Sequence, residues 1–306
     1  KSEILRPVLN EKLSANSVGI VHVAIGGVHS VALTRDNKIL TWGVNDEGTL
    51  ARDTTKEKEP ETNGANGVNG DAESDEDSDD DEITLNLKEA SPLPVDSSLF
   101  PKGTGANGGI GFSPESKKEQ RKPVQIPGLS NIVKVVAGSQ HVLALRSDGA
   151  VFSWGCDEQH QLGRRRASRQ HQTNPLVPEQ CALPPGIHDV GVGLYHSFAV
   201  HRNGIVYAWG SNNFGQTAVS MSAGQNDAIV AFPTEVRSFR KQAKLVSIFG
   251  GKDHSIALTE SGQCLIWGRI DNKALGIARE DMPESDIIYD EYNRPRILKQ
   301  PSVLSS

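Results

Sequence analysis

Four copies of one short pattern organise this chain. In each copy a histidine is followed thirteen residues later by Trp-Gly, and all four tryptophans of the protein belong to these copies. The pairs are His29 with Trp42, His141 with Trp154, His196 with Trp209, and His254 with Trp267. Because tryptophan is scarce in this sequence, its regular placement indicates an internal structural repeat.

Each copy has the composition of a small antiparallel sheet. A short apolar run ends in small residues, as at 135–138, and the histidine then opens an alternating stretch, as at 30–33. A polar pair separates this stretch from the run that ends in Trp-Gly. The pairs are Asp36-Asn37, Asp148-Gly149, Asn203-Gly204 and Ser261-Gly262. Since Asn-Gly and Asp-Gly tolerate positive φ at both central positions, we expect two-residue hairpin turns here.

The spacing of the copies favours a β-propeller. Successive repeat histidines are 112, 55 and 58 residues apart, so two intervals are one repeat long and the first is close to two. A repeat of roughly 50 residues built from antiparallel strands is typical of propeller blades. A linear β-solenoid fits less well, because its coils are shorter and carry no hairpin turn. The predicted fold class is therefore all-β, an incomplete propeller with four full blade repeats and partial ones.

The segments between the copies complete the predicted domain organisation. The divisions are 1–52, a partial blade plus the first full repeat; 53–90, an acidic insert; 91–134, a degenerate or deleted blade with a wedge-like loop; 135–189 and 190–247, full repeats; and 248–306, a full repeat and the start of the next.

Charge is distributed unevenly along the chain. The net charge is −6, but residues 57–82 carry twelve acidic residues and one lysine, or −11, which leaves +5 for the remainder. The acidic insert lacks the apolar residues that could offset ordering entropy, so it is predicted to be disordered. Its simplest interpretation is a solvated loop, and competition with DNA or binding of histones is the alternative.

The remaining composition excludes several classes of function. Cys156, Cys181 and Cys264 have neither disulfide nor metal-site spacing, which favours a reducing compartment. No apolar run approaches the roughly 18 residues of a membrane span, and no signal peptide is visible. The sequence contains no phosphate-binding loop and no nucleophile elbow. We therefore expect no cofactor, no small-molecule substrate and no covalent chemistry.

The four repeat histidines could suggest a metal site, but each occupies the same place in its own copy. They should therefore ring an axis and need not converge on one ion. We interpret His29, His141, His196 and His254 as structural residues whose ring nitrogens bond neighbouring backbone, with no metal. Trp42, Trp154, Trp209 and Trp267 are interpreted as packing anchors of the blades.

The repeat resembles that of a known family. The pattern Gly-x-x-His, Asp-Gly, Trp-Gly and Gln161-Leu-Gly163 is similar to the repeat of the regulator of chromosome condensation family. Residues 44–53 and 268–276 resemble its fungal-type nuclear members, which are guanine-nucleotide exchange factors for the small GTPase Ran. The resemblance implies a seven-bladed propeller in the nucleus that promotes GDP release and GTP loading at chromatin.

The resemblance also implies which residues contact the GTPase. Asn107, Gly108, Gly109 and Ile110 are similar to a loop that projects as a wedge against Ran. Gln140, Asp253 and Arg164 occupy positions that contribute to exchange, just before the repeat histidine or after Trp-Gly. Here the chain departs from the family, with neutral Gln140 in place of an acidic residue and Asp253 in place of a histidine. The alternative for Arg164 is a solvated linker charge.

Other readings of the function remain open. The chain can be a non-catalytic propeller scaffold for protein–protein interaction that has lost exchange residues. Histones or nucleosomal DNA are further possible partners, through the basic clusters at 117–122 and 164–169. No membrane partner is expected.

Overall fold

A computed structural model of the chain describes residue 13 and residues 18–45, 48–51, 119–126, 128–164, 177–241, 244–271 and 275–303. Antiparallel strands dominate these ranges and form four sheets, numbered I to IV along the chain. Sheet I contains β1 (Ile20–Ile25), β2 (His29–Thr34), β3 (Ile39–Val44) and β4 (Glu119–Ile126). Sheet II contains β5 (Ile132–Ala137), β6 (His141–Arg146), β7 (Val151–Gly155) and β8 (Glu179–Gln180).

The second pair of sheets repeats this plan. Sheet III contains β9 (Ile187–Val192), β10 (His196–His201), β11 (Val206–Ser211) and β12 (Ile229–Glu235). Sheet IV contains β13 (Leu245–Gly250), β14 (His254–Thr259), β15 (Cys264–Arg269), β16 (Ile287–Tyr289) and β17 (Pro295–Val303). Single 3₁₀ turns lie at Arg237–Lys241, Arg279–Asp281 and Glu284–Asp286. Four antiparallel sheets confirm the predicted all-β propeller class, although sheet IV departs from a simple meander because β17 lies between β15 and β16.

The outer strand of sheet I comes from a distant part of the chain. β4 pairs with β3 along Ile39↔Ile126 to Val44↔Glu119. This strand lies in the stretch that the sequence analysis assigned to a degenerate blade, and here it completes the first sheet. The blade limits proposed from the sequence remain predictions.

The turn between the second and third strands differs from the two-residue turn that we expected. In sheet II the N–H of Arg146 donates to the carbonyl of Ala150 at 2.8 Å, and the N–H of Gly149 donates to the carbonyl of Arg146 at 2.9 Å. The loop therefore holds three residues, of which only Gly149 has positive φ, at +89°. Asp148 has a negative φ, and its carboxylate accepts the N–H of Ala150 at 3.0 Å. The same pair of backbone bonds recurs in the other sheets, with Asn37, Gly204 and Gly262 at the left-handed position.

The sheets pack face to face in chain order, I on II, II on III and III on IV, with their first strands next to one another. One apolar core, which includes Ile39, Val135 and Trp154, lies between sheets I and II. A larger core, which includes Phe198 and Trp267, joins sheets II, III and IV. Each sheet is thus stabilised mainly by burial against its neighbours, as expected for a repeat protein.

Each junction between sheets also contains buried hydrogen bonds from the repeat residues. Trp209 Nε1 donates to the carbonyl of Gln161, and Trp267 Nε1 donates to that of Gln216, both at 2.8 Å. Trp154 Nε1 donates to the carbonyl of Thr49 at 3.0 Å. These three indoles are 0% exposed. Each of these three tryptophans therefore fixes its sheet against the loop that follows Trp-Gly in the preceding sheet.

Two of the four repeat histidines bond the next sheet and not neighbouring backbone, so the expectation of backbone partners was wrong for these two. His141 Nε2 lies 3.0 Å from Ser197 Oγ, and His196 Nε2 lies 2.8 Å from Ser255 Oγ. The two serines in turn donate to the carbonyls of Gln161 and Gln216, each at 2.9 Å. Since each serine proton is used on a carbonyl, the imidazole must be the donor, which places its proton on Nε2.

The junction between sheets I and II lacks this bond. The position equivalent to Ser197 is Val142, which is 0% exposed and offers no hydroxyl. Both ring nitrogens of His29 are buried without a hydrogen-bond partner among the described residues. An unsatisfied buried polar group is costly, so we infer that this junction is the weakest of the three.

The Gly-x-x-His part of the repeat has a steric cause. A Cβ atom on Gly138 would lie 2.3 Å from Cε1 of His141, and one on Gly193 would lie 1.9 Å from Cε1 of His196. The imidazole therefore stacks directly on the glycine backbone three residues earlier, and only glycine leaves room for the ring.

Candidate functional site

The candidate site lies along one rim of the propeller, where the first strand of each sheet turns into the second. We define the pre-histidine rim as Val28, Gln140, Tyr195 and Asp253, together with the segments that follow each Trp-Gly. In every sheet the residue after Trp-Gly donates its N–H to the carbonyl of the pre-histidine residue, for example Cys156 to Gln140 at 2.7 Å and Arg269 to Asp253 at 2.9 Å. The repeat thus fixes the backbone of this rim and leaves its side chains free to vary.

Trp-Gly supplies the bend that makes this contact possible. Gly155 has φ of +100°, and a Cβ on it would lie 2.3 Å from the carbonyl oxygen of Gln140. The glycine therefore lets the third strand approach the loop before the histidine. This brings two of the residues predicted from the sequence, Gln140 and Asp253, to the same rim, on sheets II and IV.

Asp253 belongs to a compact charged cluster on sheet IV. The guanidinium of Arg269 donates to Asp253 Oδ2 at 3.1 Å and to Asp271 Oδ2 at 2.8 Å, with a further bond to Asp271 Oδ1. These bonds, first to Asp271 and then to Asp253, raise the pKa of Arg269. The Asp253 side chain is only 15% exposed. The charge of Asp253 is therefore shared with an arginine that a partner would have to compete with.

An aromatic ring anchors the same cluster. The guanidinium carbon of Arg269 lies 4.4 Å from the ring centroid of Phe214, which follows β11. The guanidinium carbon of Arg296 in β17 lies 4.8 Å from the same centroid. Such cation–π contacts hold the two arginines near each other despite their like charge. Arg269 and Asp271 lie within residues 268–276, which the sequence analysis noted only for their resemblance to the family. Phe214 and Arg296 were missed because they come from distant parts of the chain, although Phe214 occurs in the segment after Trp209-Gly.

Arg164 is not a solvated linker charge, because it is only 4% exposed. Its guanidinium donates to Ser153 Oγ at 3.2 Å and to the carbonyl of Val177 at 2.9 Å, and lies 3.6 Å from a carboxylate oxygen of Glu179. Burial lowers the pKa of Arg164, while Glu179 opposes this shift. The guanidinium therefore ties β7 to the segment before β8. Its contact with a GTPase remains a prediction that would require the side chain to move.

The predicted wedge-like loop, Asn107 to Ile110, lies outside the described residues. Gln140 is half-buried, and its side chain carries no charge. Of the seven predicted contact residues, the structure therefore describes Gln140, Asp253 and Arg164. It brings none of them close to the other two through a described hydrogen bond or ion pair.

The first strands of sheets II and III contain a second ion pair that the sequence did not reveal. Lys134 Nζ lies 2.6 Å from Asp189 Oδ1 and 5.3 Å from the ring centroid of Phe249 on sheet IV. Both charged side chains are mostly buried. Together with the contact to Phe249, the pair connects the first strands of three consecutive sheets. Its partners are 55 residues apart, which explains why no local pattern pointed to it.

The described residues offer little else that resembles a chemical site. They contain no group of three or more His, Cys, Asp or Glu side chains that could hold a metal. A cavity of about 940 Å³ beside sheet IV is lined by residues that include Gly224, Asp271, Tyr289, Arg294 and Arg296. It is open to solvent and shares Asp271 with the charged cluster. No helix in the described ranges is long and apolar enough to cross a membrane.

Comparisons with known proteins identify relatives across nearly the whole chain. The family described as RCC1-like domain matches residues 1–303. Protein pim1 of Schizosaccharomyces pombe is 34% identical over 327 residues, which cover 98% of this chain and 56% of that protein. Guanine nucleotide exchange factor SRM1 of Saccharomyces cerevisiae is 30% identical over 337 residues, which cover 99% of this chain and 67% of that protein.

A solved structure shows the same architecture. The crystal structure of Prp20p from Saccharomyces cerevisiae, a protein studied for its binding to Gsp1p and histones, superposes with a TM-score of 0.61 at 27% identity. The superposition covers 99% of this chain and 69% of that one. This chain thus spans between about half and two thirds of the length of these relatives, from 56% of pim1 to 67% of SRM1.

Proposed function

This chain belongs to the family of RCC1-like domains, and from that premise we propose that it is a guanine-nucleotide exchange factor for the small GTPase Ran. In this role it promotes GDP release and GTP loading at chromatin in the nucleus. The observation that carries the proposal is the alignment of 99% of the chain with an exchange factor at 30% identity.

Exchange requires no covalent step by the protein. A factor that binds the nucleotide-free GTPase more tightly than the nucleotide-bound form lowers nucleotide affinity by the same factor, because the coupling is reciprocal. Both GDP and GTP are released in this way, and the more abundant nucleotide then refills the site. The chain therefore needs a rigid surface that favours the empty GTPase.

The pre-histidine rim is suited to be that surface. Its backbone is fixed in every sheet by the bond after Trp-Gly, whereas its side chains differ between sheets. Asp253 on sheet IV presents a carboxylate that can compete for a cationic group of the GTPase once Arg269 is displaced. Gln140 on sheet II adds an amide, and the loop at 107–110 is proposed to act as the wedge. Arg164 would stabilise the rim indirectly, because its guanidinium holds β7 in place.

Chromatin partners belong to the same proposal. The relative Prp20p was studied for its binding to histones as well as Gsp1p, which supports histones as a second partner of this chain. The acidic insert at 57–82 provides a cluster of carboxylates for that interaction.

A second function is favoured by one observation. Gln140 carries no negative charge, and the carboxylate of Asp253 is already paired with Arg269. A rim with reduced capacity to compete for GTPase cations fits a scaffold that binds partners without accelerating nucleotide release. An exchange factor and a scaffold would use the same surface, and the rate of nucleotide release from the GTPase distinguishes them.

Stopped-flow release of a fluorescent GDP analogue from Ran separates these functions. We expect stoichiometric protein to accelerate release, Asp253→Asn to slow it, and Gln140→Asp to speed it. Asp148→Asn is the matched control, because Asp148 lies in an exposed hairpin turn at the opposite rim and Asn can keep its bond to the Ala150 N–H. Release at the intrinsic rate with the unmodified chain would overturn the exchange proposal and leave the scaffold.

A further inference from the structure

The cavity beside sheet IV lies at the pre-histidine rim. Sheet IV contains an additional hairpin, in which β16 leads into β17 through the turn at 290–294. The start of β17 lies at the rim, because Ile297 pairs with Arg269, which directly follows Trp-Gly. The hairpin turn therefore extends beyond this pair, on the same rim as Asp253.

Sheet III supplies the opposite wall of the cavity. The loop before β12 contributes Gly224, Gln225 and Asn226 to the lining. Gly224 has φ of +83°, and a Cβ on it would lie 3.2 Å from the Cδ1 atoms of both Ile288 and Ile297 in the hairpin. The loop therefore packs directly on the hairpin, and the cavity of about 940 Å³ is formed between two neighbouring sheets.

Arg296 is the unpaired charge of this cavity. It is half-buried in β17, and its guanidinium carbon lies 4.8 Å from the ring centroid of Phe214. Arg269, on the same ring, donates to Asp253 and Asp271. By contrast, no side chain or carbonyl in the described ranges accepts a hydrogen bond from the Arg296 guanidinium. The aromatic ring thus positions a guanidinium whose donors remain available to an anion.

The other charges of the lining favour a carboxylate over a phosphate group. Asp271, Asp290 and Glu291 line the same cavity, so the second negative charge of a phosphate would be repelled. A single carboxylate matches the planar fork of Arg296, which can donate two parallel hydrogen bonds to it. Tyr292, which is 71% exposed in the hairpin turn, adds an aromatic ring of the kind that is enriched in protein interfaces. The cavity therefore fits an acidic side chain of a protein.

We propose that this cavity binds an acidic side chain of the GTPase through Arg296, as a second anchor on the rim beside Asp253. The inference rests on the proposed function, since it assigns a further contact on the same rim. Arg269 Nη1 bonds Asp253, whereas its Nε and Nη2 bond Asp271. A cation of the GTPase that takes over Asp253 therefore leaves Arg269 fixed by Asp271, and both anchors can be engaged together.

Isothermal titration calorimetry of the full chain with nucleotide-free Ran tests the proposal. We expect Arg296→Gln to raise the dissociation constant on the order of 10-fold or more, because a hydrogen-bonded charge pair is lost. Arg296→Lys keeps the charge but not the fork, so its dissociation constant should lie between those of Arg296→Gln and the unmodified chain. This variant remains informative if Arg296→Gln is destabilised.

Arg240→Gln is the matched control. It removes the same charge from a side chain that is 62% exposed and lies beside the hairpin turn at Asn203-Gly204, at the opposite rim. We expect its dissociation constant to stay within about twofold of the unmodified value. An equal loss of affinity in Arg240→Gln and Arg296→Gln would show an effect of net charge alone and would overturn the proposal.

The outcomes separate this contact from the proposed function. If the unmodified chain binds Ran and Arg296→Gln binds it equally tightly, the contact is overturned and the exchange proposal stands. Arg296→Lys that binds as tightly as the unmodified chain would overturn the bidentate contact. If the unmodified chain does not bind Ran at all, the proposed function fails and this contact fails with it.

Discussion

His141 Nε2 in sheet II lies 3.0 Å from Ser197 Oγ in sheet III, and this serine donates its own proton to the carbonyl of Gln161 after β7. A single hydroxyl of sheet III therefore connects two parts of sheet II. His196, Ser255 and Gln216 repeat the arrangement between sheets III and IV. Because all these atoms are buried, the network selects one way for neighbouring blades to pack.

Removal of the serine hydroxyl should weaken this junction. Ser197→Ala leaves His141 Nε2 without an acceptor in a buried site, so we expect the free energy of unfolding to fall by about 1–3 kcal/mol. Urea denaturation measures the change. The matched control is Ser30→Ala, since Ser30 occupies the same repeat position on sheet I but is only half-buried, and its loss should change stability by less than about 0.5 kcal/mol. Equal effects at both positions would contradict the role assigned to the hydroxyl.

His29, at the junction between sheets I and II, lacks a hydrogen-bond partner, so a hydroxyl can be added there instead of removed. Val142→Thr places a hydroxyl of nearly the same volume next to His29 Nε2, with the carbonyl of Thr49 available as acceptor, as Gln161 is for Ser197. We expect stability to rise by about 1 kcal/mol as the unsatisfied nitrogen gains a partner.

The control for that change is the same substitution at a site that has no unsatisfied histidine. Val190→Thr, in a fully buried position of β9, should lower stability by about 1–2 kcal/mol. If Val142→Thr destabilises as much as Val190→Thr does, then His29 is not limited by its missing acceptor.

Burial of the histidines should make stability depend on pH. Burial lowers the pKa of His29 to about 4 and the pKa values of His141 and His196 to about 3. The unfolded chain, with ordinary values near 6.5, binds more protons below that pH, so protonation favours unfolding. The stabilisation is fully present above pH 6.5 and is lost as the pH falls towards 4.

Three such histidines lower the free energy of unfolding by at most about 4 kcal/mol for each pH unit below the pKa of the unfolded chain. Urea denaturation at steps between pH 7.5 and 5 measures this slope in a window where carboxylates stay ionised. A flat stability profile over that window would mean that the imidazoles are hydrated or charged in the folded chain.

The fold could be predicted from the sequence because its information is local and repeated. The spacing from histidine to Trp-Gly, the apolar alternation and the polar turn all lie within about 30 residues in each copy. The turn length was missed because Asp148 and Gly149 fit either kind of hairpin, and only the backbone hydrogen bonds of the turn distinguish the two.

The candidate site was less predictable because its contacts join distant segments. The sequence drew attention to Asp253 and to residues 268–276, but not to the ion pair that Arg269 forms with Asp253 from 16 residues away. The serine that accepts the hydrogen bond of the histidine could have been predicted, since Ser30, Ser197 and Ser255 each follow a repeat histidine directly. Val142 breaks that pattern and marks the junction where the bond is missing.

Arg164 provides a direct test of how a charged residue of the predicted site is used. It heads a basic run, which suggests a solvated linker, but its guanidinium is buried against Ser153, Val177 and Glu179. Lysine cannot reproduce several guanidinium bonds from one planar group. We therefore expect Arg164→Lys to lower the free energy of unfolding by about 2–3 kcal/mol, as for a broken buried polar network. Arg240→Lys is the control, because Arg240 is 62% exposed and pairs only with Glu235 in the described residues.

If Arg164→Lys leaves urea stability unchanged but weakens binding to Ran, the side chain serves the partner and not the blade. Loss of stability with unchanged Ran affinity in the remaining folded protein would instead establish Arg164 as a support of the rim.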